Sequence, residues 1–140
     1  MTDFADLAAH LGSTDTVAIV TTRPNGDEVA TPIWAAAVDG VPYVRAAYGP
    51  RTAWFLRATT GRPVAFTTAD GRHAETDAVA ALSDPRLAVT VTPVAADAAE
   101  QDAVDAAFRS KYAHSPYGDS ILAPSVRALT LRIAPVSSLV

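Results

Sequence analysis

The dipeptide Asp39-Gly40 stands between two runs with strand character, Glu28–Val38 and Val41–Ala47. A two-residue Asp-Gly loop selects the type I′ turn, whose twist matches that of two antiparallel strands. Such a turn also fixes the register. Val38 falls opposite Val41, Ala36 opposite Tyr43, Trp34 opposite Arg45 and Thr31 opposite Tyr48. Opposed residues share a face, so Trp34, Ala36, Tyr43 and Arg45 line one side of the ribbon. Arg45 beside Trp34 makes either a cation–π pair on a wet face or one wall of a polar pocket. A second pair, Asp70-Gly71, reads as another turn of this kind, leading into a strand over His73–Leu82. A chain built on such turns folds as mostly antiparallel sheet, not as alternating βαβ units.

The remaining segments extend this pattern. Thr16–Thr22, Pro63–Thr68, Leu87–Val94 and Val126–Ile133 are β-branched or alternating and read as strands. Pro32, inside Glu28–Val38, marks an edge or a bulge. Helical spacing appears in Asp3–Leu11, where Phe4, Leu7, Ala8 and Leu11 recur on one face. A short helix is predicted over Arg51–Thr60, with Pro50 in its first turn and Gly61 at its end. A long one is predicted over Asp97–Ala113, with acids early and Arg109 and Lys111 late, as the helix dipole favours. The expected architecture is α+β in a single domain over 1–140. Six or seven mostly antiparallel strands close into a small barrel, with a short crossover helix and one long C-terminal helix packed outside. Closure removes exposed strand edges.

Composition excludes several classes of function. Cysteine is absent, so disulfide scaffolds, thiol catalysis, Cys-ligated zinc and iron–sulfur clusters are ruled out. The net charge of −4 gives no basic face for nucleic acid. His10, His73 and His114 are scattered without metal-ligand spacing, so no metal site is expected. His73, just after a turn, is expected to be exposed. No Gly-x-Ser-x-Gly is present. The longest apolar run, Ile33–Val38, is far too short to cross a membrane as a helix. The N-terminus lacks the pattern of a signal peptide, which points to the cytoplasm.

One segment carries chemistry. In Tyr48-Gly49-Pro50-Arg51-Thr52-Ala53-Trp54 a glycine-containing loop runs into a helix start. Unpaired backbone N–H groups and the helix dipole there favour an anion. Arg51 and the Thr52 hydroxyl add donors, and Arg45 projects from the preceding strand toward the same end. The alternative is an ordinary helix start with exposed arginines. Arg57 lies six residues beyond Arg51 and so on a different face of the helix. A second aromatic patch, Tyr112 and Tyr117 with the loop between them, either closes over a planar ligand or plugs a barrel end.

The run from Glu28 to Leu56 resembles the core of the split β-barrel flavin-binding superfamily. That group includes pyridoxamine phosphate oxidase-like proteins and deazaflavin-dependent nitroreductases. The residues that carry the likeness are Thr31-Pro32, the tight turn, Tyr43-Val44-Arg45, Tyr48-Gly49 and Trp54-Phe55, and later Phe108-Arg109-Ser110-Lys111-Tyr112. Within the superfamily the chain looks most like a small bacterial family of unknown function. The resemblance implies a split β-barrel homodimer with FMN or a deazaflavin at the subunit interface. The cofactor phosphate would meet Arg45, Gly49, Arg51 and Thr52, and the ring would face Thr31, Pro32, Ile33 and Trp34. The activity implied is an oxidoreductase acting on a small organic substrate. Tyr48 and Tyr112 are the side chains nominated for acid–base work. The residues alone leave two alternatives: a cofactor-free binding protein, or a non-redox enzyme using the same pocket.

Overall fold

Asp3 and Asp6 cap each other's backbone N–H groups and start α1 (Phe4–Ser13), which buries Leu7, Ala8 and Leu11. The computed structural model describes residues 3–136. Among them seven strands form one sheet: β1 (Val17–Thr22), β2 (Glu28–Ile33), β3 (Ala35–Val38), β4 (Val41–Arg45), β5 (Val64–Thr67), β6 (Arg86–Val94) and β7 (Thr130–Pro135). Their order is β2-β1-β5-β6-β7-β4-β3, and every pairing is antiparallel. The two outermost strands, β2 and β3, are consecutive in the chain and separated only by Trp34. The sheet therefore curls until its edges meet at that residue. The result is the antiparallel, barrel-like α+β architecture that the turns predict.

The Asp39-Gly40 hairpin forms as expected, with positive φ at both residues (51° and 80°). Val38 pairs with Val41 and Ala36 with Tyr43. The predicted register does not run on to Trp34 and Arg45, nor to Thr31 and Tyr48. Pairing stops at Ala35–Val44, and Thr31 pairs with Ile19 of β1 instead. The physical reason is the bend. Trp34 turns out of the ribbon to stack on Tyr112, and the chain upstream of it joins the other edge of the sheet.

The strand predicted over His73–Leu82 is absent. Two short helices, α3 (Arg72–Thr76) and α4 (Ala78–Ala81), occupy that stretch. Gly71 has φ −65° and ψ −13°, the right-handed helical region, so Asp70-Gly71 is a helix start and not a hairpin turn. Asp70 accepts a hydrogen bond from the Arg72 N–H at 2.9 Å, and Asp77 accepts one from the Ala80 N–H at 3.0 Å. Local capping and an alanine-rich sequence outweigh the turn signal.

Other boundaries contract. α2 spans Ala53–Ala58, because Thr52 closes a turn back onto the Gly49 carbonyl through both its N–H and its hydroxyl. α5 spans Gln101–Lys111 and packs against β3 on the outside of the sheet, as the amphipathic pattern predicts. Pro124 opens α6 (Pro124–Arg127), so the last strand begins only at Thr130. A 3₁₀ helix, Gly118–Leu122, lies under α5. Two main cores result. One holds Leu7, Leu11, Ile19, Phe66, Leu131 and Ile133; the other, under α5, holds Tyr43, Val94, Val104, Phe108, Tyr112 and Ile121. Among the described residues no helix is long and apolar enough to cross a membrane.

Candidate functional site

The bend between β2 and β3 opens a cleft of about 460 Å³, within the usual range of ligand sites, ~300–1,000 Å³. The end of β2 brings Thr31, Pro32 and Ile33 to it, and Trp34 follows at the bend. Arg45 ends β4 beside it, and the next loop adds Ala47 and Tyr48. α2 contributes Thr52, Ala53, Trp54 and Arg57, and the far wall is Tyr117, Ser120 and Ile121. Seven residues nominated from the sequence thus meet in one place: Thr31, Pro32, Ile33, Trp34, Arg45, Tyr48 and Thr52. Gly49, Arg51 and Tyr112 do not line this cleft.

Trp34 is held firmly. One indole face lies on Tyr112, with ring centroids 4.0 Å apart and planes 7° from parallel. Tyr112 is buried, and its hydroxyl approaches the Asp15 carbonyl at 2.6 Å and the Ala35 N–H at 3.2 Å. Lys111 donates to the carbonyls of Leu11 and Ala35 at 2.8 and 2.6 Å. Burial pushes this ammonium down to about 8, against the pull of Asp15. Two neighbouring side chains at the end of α5, Lys111 and its C-cap Tyr112, therefore clasp Ala35, the residue after the bend. Burial raises the Tyr112 phenol above its ordinary range. With its hydroxyl enclosed and bonded, Tyr112 supports the Trp34 ring from outside the cleft. Tyr48 is its opposite, 94% exposed on the rim of the cleft.

Arg45 borders the cleft, but its side chain is fully buried and its charge is answered from within the protein. It forms an ion pair with Asp105 at 2.6 Å. It donates to the Thr130 hydroxyl, the Ile121 carbonyl and the Gln101 side chain at 3.0, 3.1 and 2.7 Å. Its cation–π partner is Phe108, 5.5 Å away, and not Trp34. Arg51 is exposed. Thr52 directs its hydroxyl proton to the Gly49 carbonyl.

Sequence reasoning passed over Arg57. Arg51 precedes α2, whereas Arg57 lies within it on the side that the cleft follows, along Ala53 and Arg57. Arg57 is half-buried and donates from Nε to the buried Thr21 hydroxyl at 2.8 Å. Desolvation, and then the nearby charge of Arg23, weaken its hold on its proton. The available signal is that Thr21 lies just before Arg23 in sequence, at the end of β1, but nothing local connects that strand end to α2.

Among the described residues no three His, Asp or Glu side chains gather as a metal site. His73 lies outside the cleft, half-buried and bonded to Asp84 at 2.6 Å, in place of the exposed position expected for it.

A family model described as an uncharacterized protein conserved in bacteria (DUF2255) matches residues 7–133. No curated protein matches the chain. Among solved structures the fold is similar to HutZ, a heme storage protein from Vibrio cholerae, at 12% identity and TM-score 0.64, covering 95% of this chain and 89% of that one. It is also similar to ChuZ from Campylobacter jejuni, at 14% identity and TM-score 0.64. That match covers 92% of this chain and 51% of ChuZ, so the chain spans about half of that protein. A third is the conserved hypothetical protein Rv2991 from Mycobacterium tuberculosis, at 18% identity and TM-score 0.59, covering 98% and 82%. At these identities the likeness is one of fold.

Proposed function

The chain belongs to the bacterial family DUF2255 on the split β-barrel fold, and we propose that its cleft binds a planar heteroaromatic cofactor of the flavin or deazaflavin class and serves a small-molecule oxidoreductase. The observation that carries this reading is an indole fixed from behind by Tyr112, in a cleft whose lining, among the described residues, offers no histidine, cysteine or methionine. HutZ is described as a heme storage protein. Heme iron asks for an axial ligand, and in this cleft only the phenols of Tyr48 and Tyr117 could supply one. A flavin-type ring asks for flat apolar walls, a few polar groups at its edge and a cation for its phosphate. Trp34, Pro32, Ile33 and Trp54 meet the first need, Thr31, Thr52 and Ser120 the second, and Arg57 the third. When bound, such a ring supplies the electron transfer. The chain supplies position, edge hydrogen bonds and exclusion of water.

The test is a titration of the purified protein with FMN, with a deazaflavin and with hemin. Saturable binding of FMN or the deazaflavin is expected. Trp34→Ala removes one aromatic wall and is expected to weaken that binding roughly tenfold, the equivalent of ~1.5 kcal/mol for an aromatic contact. A protein that takes up hemin and neither flavin would overturn the cofactor class. A folded protein that binds none of the three would favour the two rivals, a cofactor-free binder or a non-redox enzyme using the same pocket.

The same reading places a second copy of the chain over the cleft mouth. Tyr48 and Tyr117 stand 94% and 74% exposed on its rim, and aromatic side chains are enriched in subunit interfaces. Sedimentation at micromolar concentration is expected to give about twice the chain mass of 14.5 kDa. A monomer that still binds the flavin would take the partner out of the site.

A further inference from the structure

We propose that Arg57, set against Thr21 and Arg23, is the anion subsite of the cleft and takes a phosphate ester. This rests on the cleft being a ligand site, and it replaces the helix start at Gly49–Thr52 as the place where the charge is held.

Four of the ten arginines are answered by carboxylates. Arg45, Arg86, Arg127 and Arg132 each meet a carboxylate within 4 Å. The net charge is −4, so carboxylates are in excess. Arg57 meets none among the described residues, and neither do Arg23, Arg51, Arg62, Arg72 and Arg109; of these five only Arg62 is also half-buried, and it does not line this cleft. Arg57 is half-buried, and the charge that bears on it is that of a second cation, Arg23. A partly desolvated guanidinium beside a like charge is unfavourable on its own. A bound anion removes that penalty.

The geometry supports the assignment. Thr21 is fully buried and its hydroxyl takes the Nε–H of Arg57 at 2.8 Å, which orients the guanidinium. Its two Nη groups have no protein partner among the described residues. That leaves the outer edge of the fork to face a ligand, the geometry that suits two oxygens of a phosphate. The rival cations are less suited. Arg45 is neutralised by Asp105, and Arg51 is exposed and does not line the cleft.

The test compares FMN with riboflavin, which carries the same ring without the phosphate. Wild type is expected to prefer FMN by at least tenfold, the range for hydrogen bonds to a charged group. In Arg57→Gln the preference is expected to collapse to about onefold, with riboflavin affinity unchanged, and Arg57→Lys should restore part of it. Arg51→Gln should leave the preference intact. Inorganic phosphate gives an independent readout: it should raise the melting temperature of wild type and not of Arg57→Gln. Should Arg57→Gln fail to fold, Arg57→Lys and Arg23→Gln carry the comparison, each with a reduced preference. Phosphate that competes with FMN but not with riboflavin assigns the subsite to the cofactor's own ester. Phosphate that binds alongside FMN assigns it to a second, phosphorylated molecule. If neither flavin binds but the phosphate effect depends on Arg57, the flavin reading fails and the anion subsite stands. An FMN preference that survives Arg57→Gln and is lost in Arg51→Gln overturns the proposal. So does the absence of any Arg57-dependent effect of phosphate or of the ester.

Discussion

Asp105→Ala is expected to destabilise the protein by about 3–5 kcal/mol, because it strands a buried charge. The Arg45 side chain has no solvent exposure, and Asp105, 13% exposed, is its counterion at 2.6 Å. The neighbours Thr130, Ile121 and Gln101 accept hydrogen bonds from Arg45 but carry no charge. With the carboxylate gone, the guanidinium stays charged in a poorly solvated place. The melting temperature should fall by about 10–20 °C for a chain of this size. Asp102→Ala is the matched control. Asp102 is also a partner of Arg127, at 2.7 Å, but it is 88% exposed, and losing such a pair costs about 1 kcal/mol or less. Urea unfolding of both variants measures the difference. A loss below about 1 kcal/mol for Asp105→Ala would mean that Arg45 does not depend on it.

The same carboxylate shapes the response to acid. Desolvation pushes its pKa up, but Arg127 and Arg45 outweigh that effect and hold the group below the ordinary carboxylate range. Its contribution is thus complete above the unfolded pKa near ~3.9 and is lost as pH falls through that value toward the folded one. Below about pH 4 the wild type should lose stability more steeply than Asp105→Ala, which has one fewer such group.

What was legible in the sequence was local. Asp39-Gly40 set its turn and register because both residues adopt positive φ with no help from elsewhere. The α1 start and the α5 face were legible for the same reason, since caps and helical spacing act within a few residues. Arg45 lines the cleft, yet what holds it there is not legible in the sequence. Its partners lie 56 to 85 residues away in the chain, and no local pattern announces them. Trp34 shows the same limit. Its strand reads as continuous because both halves are strands, and at the bend the ring lies on Tyr112, which is far along the chain. Arg57 was passed over because helix geometry tells which residues share a face but not which face meets the cleft.

Gly71 is where the hairpin signal fails, and it gives the second large effect. The residue needs no positive φ, at −65°, so conformational freedom does not explain the glycine. Space does. A methyl group there would lie 2.5 Å from the Val17 carbonyl carbon, 2.6 Å from its Cα and 2.7 Å from the Thr16 carbonyl carbon. These are backbone atoms of the chain entering β1, with no flexible side chain to swing aside. Relief requires α3 to move off β1, which strains the Gly71 N–H bond to the Thr16 carbonyl, 2.9 Å. It also loosens the small core of Ala18, Val20, Ala30, Ala74 and Ala81 beneath α3 and α4. Overpacking costs about 1–3 kcal/mol and a strained buried hydrogen bond about 1 more. Gly71→Ala is therefore expected to lose about 2–4 kcal/mol. Gly26→Ala is the contrast: φ is +93° and nothing lies within 4 Å, so only the conformational cost of roughly 1–2 kcal/mol applies. Urea midpoints at unchanged m separate the two. A Gly71→Ala variant no less stable than Gly26→Ala would show that α3 can give way, and that the close approach to Val17 does not fix the glycine.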